Sequence, residues 1–132
     1  MKACIAILLT LTVLAALSGK GIRAVHAQEI FAGGYPQQSG EDLYKSICQG
    51  CHMPNGKGAI GAGAYPALAN NSRLTAAIYP ITVVLNGQRA MPPFGASLSD
   101  AQIANVINYI RTHFNNRYKD PVLASAVKAA RP

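Results

Sequence analysis

Acidic residues are scarce in this chain of 132 residues: five Asp and Glu stand against twelve Lys and Arg, for a formal net charge of +7. Charged residues are only 13% of the whole, and there is no tryptophan. The cations are scattered, without a run or an arginine-rich arm. The excess therefore suits steering toward an acidic partner or surface, and it does not point to nucleic acid. Cysteine is nearly missing too, with three residues in all. Cys4 stands alone near the start, and one close pair, Cys48 and Cys51, does not make a disulfide scaffold. No run alternates convincingly as a strand; the β-branched cluster of residues 81–85 sits between helix signals. Nothing repeats internally, and the length allows one domain, not two.

A long apolar run occurs once, over residues 3–17, behind Lys2 and broken only by two threonines. It is shorter than the about 20 residues that a membrane-spanning helix needs. Ala24-Val25-His26-Ala27 then places small or modest residues at the −3 and −1 positions of a cut after Ala27. The expectation is an export signal over residues 1–27 and a periplasmic protein. The competing reading is an uncleaved membrane anchor, which Lys20 and Arg23 after the run would suit. Cleavage would remove three cations and no anion, leaving +4.

What is present is Cys48-Gln49-Gly50-Cys51-His52, which reads C-x-x-C-H, the attachment signature of a c-type haem. Two cysteines three apart on one helical turn reach the two vinyl groups along one porphyrin edge. The histidine that follows falls beneath the metal, and its neutral imidazole is a good iron ligand. A redox dithiol would want a βαβ pattern around the pair, and none is visible. A zinc site would want four ligands, and the residues left after cleavage are Cys48, Cys51, His52 and His113, two of them adjacent. One covalent haem c is the favoured reading. It also supplies core to a chain of about 105 residues, which unaided buries only about two thirds of its surface.

Residues 28–39 read as an irregular, Gly- and Pro-containing arm. Ser39 with Asp42 three later starts a helix that runs into Cys48, with Leu43, Tyr44 and Ile47 facing inward. Residues 53–65 are Gly- and Ala-rich and read as a loop whose small residues let backbone approach a bulky ligand. Asn70, Asn71 or Ser72 caps a helix over residues 73–79; Pro80 opens a second over residues 81–85, which Asn86-Gly87 stops. A Pro-rich loop holds Met91-Pro92-Pro93-Phe94. Ser99 and Gln102 form a capping box ahead of Ile103, Val106, Ile107, Ile110 and Phe114 at 3.6-residue spacing. Asn115-Asn116 ends that helix. Residues 40–116 make the domain, and residues 117–132 a tail with a last short helix over 123–130. The class is all-α, four or five short helices.

With His52 on one face of the iron, the other face needs a ligand from a loop that crosses the porphyrin. Met53 is bonded to His52 and cannot reach round. His113 lies at the edge of the last long helix, where a solvated or capping role suits it. Met91, in a loop stiffened by two prolines, offers a soft neutral thioether that raises the reduction potential relative to a second histidine. Its competing role is a gap-filling core residue.

In order along the chain, Gly40-x3-Tyr44-x3-Cys48-x2-Cys51-His52, Gly56-x-Gly58, Pro66-x-Leu68, Gly87, Met91-Pro92 and the Tyr109-Ile110 helix resemble a class I c-type cytochrome. The resemblance covers residues 40–114. It implies a small cytochrome c fold wrapped around one haem, thioethers from Cys48 and Cys51, and axial ligands His52 and Met91. It also implies that the Pro66 carbonyl accepts the His52 Nδ1 proton, and that Gly40 and Tyr44 pack against Tyr109. More narrowly, Tyr65-Pro66-Ala67-Leu68, Val84-Leu85-Asn86-Gly87, Met91-Pro92-Pro93-Phe94 and the stretch from Leu98 to Arg111 are similar to small cytochrome subunits or domains of periplasmic dehydrogenases, such as p-cresol methylhydroxylase.

The expected function is one-electron transfer, not catalysis. The donor would be a periplasmic dehydrogenase with a flavin or quinone cofactor, and the acceptor a downstream cytochrome or oxidase. Lys57 and Arg89 are candidates to steer docking, or are simply solvated. Two alternatives are a general shuttle donating to a terminal oxidase, and a five-coordinate haem sensor or enzyme in which Met91 is core.

Overall fold

Ser39 begins the first helix, its Oγ accepting from the Asp42 backbone N–H at 3.1 Å. Glu41 and Asp42 lie at the positive end of the helix dipole. The computed structural model describes residues 34–61 and 63–132; the expected export signal over residues 1–27 lies outside the described residues. The helix does not stop at Cys48. It passes from α1 (Gly40–Leu43) through a π-helical turn, π1 (Tyr44–Cys48), into α2 (Gln49–His52). The wider turn shifts the helical register, and the adjacent residues Leu43 and Tyr44 are both buried. Tyr44 Oη donates to the Met53 carbonyl at 2.7 Å, pinning the chain where it leaves α2.

The Gly-rich stretch, expected as a loop, contains a small antiparallel hairpin of β1 (Ala59–Ile60) and β2 (Ala64–Tyr65). Two residues per strand are too few to show a period of two in sequence. Next, Asn71 caps only a 3-10 turn, Ser72–Leu74, where a longer helix was expected. The following helix starts earlier than its proline suggested: α3 spans Ile78–Asn86, with Pro80 in the first turn, where a missing N–H goes unneeded. Gly87, at φ +73°, ends it. The capping box of Ser99 and Gln102 is formed, and α4 runs over Asp100–Thr112. The last helix, α5, covers Ala124–Ala129. With α1, π1 and α2 counted as one continuous helix, the described part has four helices and one minimal hairpin, the mainly helical layout that the resemblance implies.

Ile103, Ile107 and Ile110 of α4 pack with Leu43, Tyr44, Leu74, Ile81 and Leu85 in one core. The first helix crosses α4 at Gly40, where an added Cβ would lie 2.1 Å from the Asn105 carbonyl oxygen. Tyr44 follows one turn later, its ring centroid 5.6 Å from that of Tyr109 and 4.8 Å from that of Phe114.

Both ends of the described chain are tied to α4. Gln102 Nε2 donates to the carbonyls of Tyr35 and Gln37, and Asn105 Nδ2 to that of Gln38. The residues after 116 are no loose tail: Val122 and Val127 are buried. Asn108 exchanges two hydrogen bonds with the Val122 backbone, as a strand neighbour would.

Candidate haem site

Cys48 closes π1, Cys51 sits in α2, and His52 is the last residue of α2, so one continuous helical segment positions all three. Cys48 is half-buried and Cys51 exposed, and no disulfide joins them. Burial, and then the neighbouring Cys51, pushes the Cys48 thiol up to about 12. A thiol held protonated is a poor nucleophile for dithiol exchange. Among the described residues no three His, Cys, Asp or Glu converge on a common cation site.

His52 is buried, and its Nδ1 lies 2.9 Å from the Pro66 carbonyl oxygen. That contact makes Nδ1 the protonated nitrogen and leaves Nε2 with its lone pair free. Among the described residues Nε2 has no hydrogen-bond partner. A buried imidazole with one nitrogen fixed by a carbonyl and the other open is the arrangement found at metal-ligating histidines.

The carbonyl is placed by a stack of close backbone contacts. Gly58 donates to the His52 carbonyl at 3.0 Å and adopts φ +66°. A Cβ on Gly58 would lie 2.1 Å from the Tyr65 carbonyl oxygen, so only glycine lets residues 65–66 approach so closely. The Gly56 carbonyl accepts from both Leu68 and Ala69, at 2.7 and 2.9 Å. Asn116, 4% exposed, donates from Nδ2 to the carbonyls of Leu68 and Ile110 and accepts at Oδ1 from the Asn71 N–H.

Met91 is half-buried and packs against the core, as Ile47, Leu68 and Phe94 also do. Its backbone exchanges two hydrogen bonds of 3.0 Å with Gln88, in a tight turn that puts Arg89 at φ +56°. Gly87 lets this turn fold back: a Cβ there would lie 2.6 Å from the Met91 carbonyl oxygen. His113 is exposed at the end of α4, its Nδ1 2.9 Å from the Tyr109 carbonyl and its ring stacked on Tyr109 at 4.1 Å. Met53, directly after His52, adopts φ +65°, and its carbonyl accepts from Tyr44 Oη. Lys57 and Arg89 are both exposed.

The donor chemistry fits a covalently held haem: two thiols on one segment, an imidazole with a free Nε2 and a thioether in a stiff loop. Sequence reasoning missed the part played by Asn116, whose position after a helix reads as a stop signal. It also missed Arg111, which is 1% exposed. The Arg111 guanidinium donates to the carbonyls of Leu74, Thr75 and Asp120 and meets the Asp120 carboxylate at 2.8 Å.

Residues 36–110 match the family described as cytochrome c oxidase, cbb3-type, subunit III. The fructose dehydrogenase cytochrome subunit of Gluconobacter japonicus is 33% identical over 108 residues, covering 70% of this chain and 22% of its own length. The gluconate 2-dehydrogenase cytochrome c subunit of Pantoea cypripedii is 32% identical over 113 residues, with 74% of this chain and 25% of its own length covered. This chain therefore spans about a quarter of the dehydrogenase subunits it matches. Cytochrome c6 of Diacronema lutheri is 35% identical over 77 residues, which are 54% of this chain and 89% of that protein. The matched family and the fold agree: the chain is a class I c-type cytochrome, belongs to the cbb3-type subunit III family, and carries one covalently attached haem c.

Proposed function

We propose that this cytochrome is a periplasmic one-electron carrier with His52 and Met91 as axial ligands and Cys48 and Cys51 as thioether anchors. Its donor would be a dehydrogenase with a flavin or quinone cofactor, and its acceptor a downstream cytochrome or oxidase. The bound haem supplies reversible exchange of one electron between ferric and ferrous iron. Cys48 and Cys51 would hold it through thioether bonds. His52 offers Nε2, because the Pro66 carbonyl occupies Nδ1 at 2.9 Å, and this observation carries the assignment. Met91 would offer its thioether from the Pro-rich loop, and with both protein ligands bound no position would be open for a substrate, which favours electron transfer over catalysis. Lys57 and Arg89 give the surrounding surface a positive character that suits an acidic docking face.

Substituting Met91→Ala should abolish the far-red methionine–iron charge-transfer band of the oxidised protein and let the reduced protein bind CO rapidly. A band that survives would rule out Met91 as ligand. CO binding by the unsubstituted protein, with its fold intact, would instead favour the five-coordinate sensor or enzyme.

The dehydrogenase partner is inferred from relatives named as cytochrome subunits of fructose and gluconate dehydrogenases. One observation favours a second reading, a free shuttle: the match to cytochrome c6 covers 89% of that relative, not a quarter. Gel filtration of a native extract separates the two. A stable complex supports the dehydrogenase subunit, and a lone monomer reduced by several donors supports the shuttle.

A further inference from the structure

Arg131, beyond α5, reaches back to the stretch between Met91 and α4. Its Nε donates to Asp100 Oδ1 at 2.5 Å, one Nη to the Gly95 carbonyl at 2.5 Å, and the other to the Leu98 carbonyl at 3.0 Å. The ion pair with Asp100 is sheltered, with the two side chains 30% and 27% exposed.

These contacts fall at a mechanically sensitive place. On its N-terminal side Met91 is fixed by the paired turn with Gln88. On its C-terminal side the next anchors are Phe94, whose N–H donates to the Val84 carbonyl, and Gly95, whose N–H donates to that of Leu85. Between the anchors lie only Pro92 and Pro93, whose rings fix φ. The loop therefore has little slack, and the adjoining anchors at Phe94 and Gly95 together set where Met91 lies. Gly95 is gripped from both ends of its residue, with the N–H on the end of α3 and the carbonyl on Arg131. It is also packed too tightly for a side chain, since a Cβ would come 2.9 Å from the Leu85 carbonyl oxygen.

We propose that Arg131 is a positioning residue for the distal ligand: by clamping Gly95 and Leu98 it sets how firmly Met91 is held against the iron. The proposal rests on Met91 being that ligand. A guanidinium suits the task because its planar fork serves three acceptors at once and stays charged at every working pH. A neutral amide or a lysine ammonium cannot reproduce all three bonds.

The test uses the haem-loaded protein and its affinity for added imidazole, which competes with Met91 for the iron. Arg131→Gln should bind imidazole about tenfold more tightly, the effect of losing roughly one charge-assisted hydrogen bond's worth of restraint. Arg131→Lys should fall between that variant and the unsubstituted protein. Val106→Ala truncates a buried residue of α4 and should lower the unfolding midpoint while leaving the imidazole affinity unchanged. An unchanged affinity in Arg131→Gln overturns the proposal, as does an equal shift in Val106→Ala, because the effect would then be general loosening. Met91→Ala distinguishes the two levels of the argument. If its far-red band persists, the ligand assignment itself fails. If the band is lost but Arg131→Gln behaves as the unsubstituted protein, only the role of Arg131 fails.

Discussion

Single residues decide how the segment that carries Pro66 is held over His52. Asn116 is the clearest case. Its amide makes three hydrogen bonds of 2.7 to 3.0 Å, to Leu68, Ile110 and Asn71, while 4% exposed. Asn116→Ala would leave two carbonyls and one N–H without their partner, and stranded buried groups cost about 1–3 kcal/mol each. Allowing for relaxation and entry of water, the haem-loaded variant should lose about 3 kcal/mol in denaturant titration. A loss under about 1 kcal/mol would mean that water replaces the amide with little cost. The attachment motif was legible because its chemistry is local: five consecutive residues declare it. Asn116 was not, because two of its three partners lie 45 and 48 residues away. Arg111 was hidden for a related reason. Its charge argues for solvent, and only the fold supplies the ring of carbonyls that receives it.

The elements divide along the same line. Caps and stops are written in neighbouring residues, and Ser39, Ser99 with Gln102, and Gly87 all act where the sequence places them. The π turn and the two-residue strands depend on what they pack against, and no periodicity announces them. The crossing of the first helix with α4 shows how one element can hang on one missing methyl. At Gly40 a Cβ would sit 2.1 Å from the Asn105 carbonyl oxygen and 2.8 Å from the Tyr109 Cβ. Those neighbours are a helix backbone and the root of a side chain, so neither can swing aside. Gly40→Ala should therefore separate the helices and destabilise the protein by about 3 kcal/mol or more, beyond the usual cost of an overpacked site. Gly50, between the two cysteines, has no protein atom within 4 Å of an added Cβ. Gly50→Ala should be tolerated, and helix propensity alone would favour it by up to about 1 kcal/mol. Thermal unfolding of the two variants side by side checks the contrast; equal melting temperatures would show that the crossing is not tight.

For the molecule as a whole, the segment after α4 closes the structure, and an ion pair makes that closure sensitive to acid. The buried Arg111 guanidinium meets the exposed Asp120 carboxylate at 2.8 Å and stacks over Tyr118 at 5.6 Å. The hydrogen bond from Arg111, helped by the backbone of Asp120 itself, holds the Asp120 carboxyl below its ordinary value of 3.8. The folded state therefore binds this proton less readily than the unfolded chain does. The stabilisation is fully present above pH 3.8 and is lost as the pH falls from there through the lower folded value. Because the carboxylate faces solvent, the effect at neutral pH is screened and small. Arg111 keeps its bonds to the carbonyls of Leu74, Thr75 and Asp120 in any case. Asp120→Asn should consequently melt close to the unsubstituted protein at pH 7. Its melting temperature should then fall less steeply below pH 4, since the titrating partner is gone. Parallel acid slopes for the two proteins would show that Asp120 plays no part in the acid response, and would place it on the other carboxylates, among them Asp100 beside Arg131.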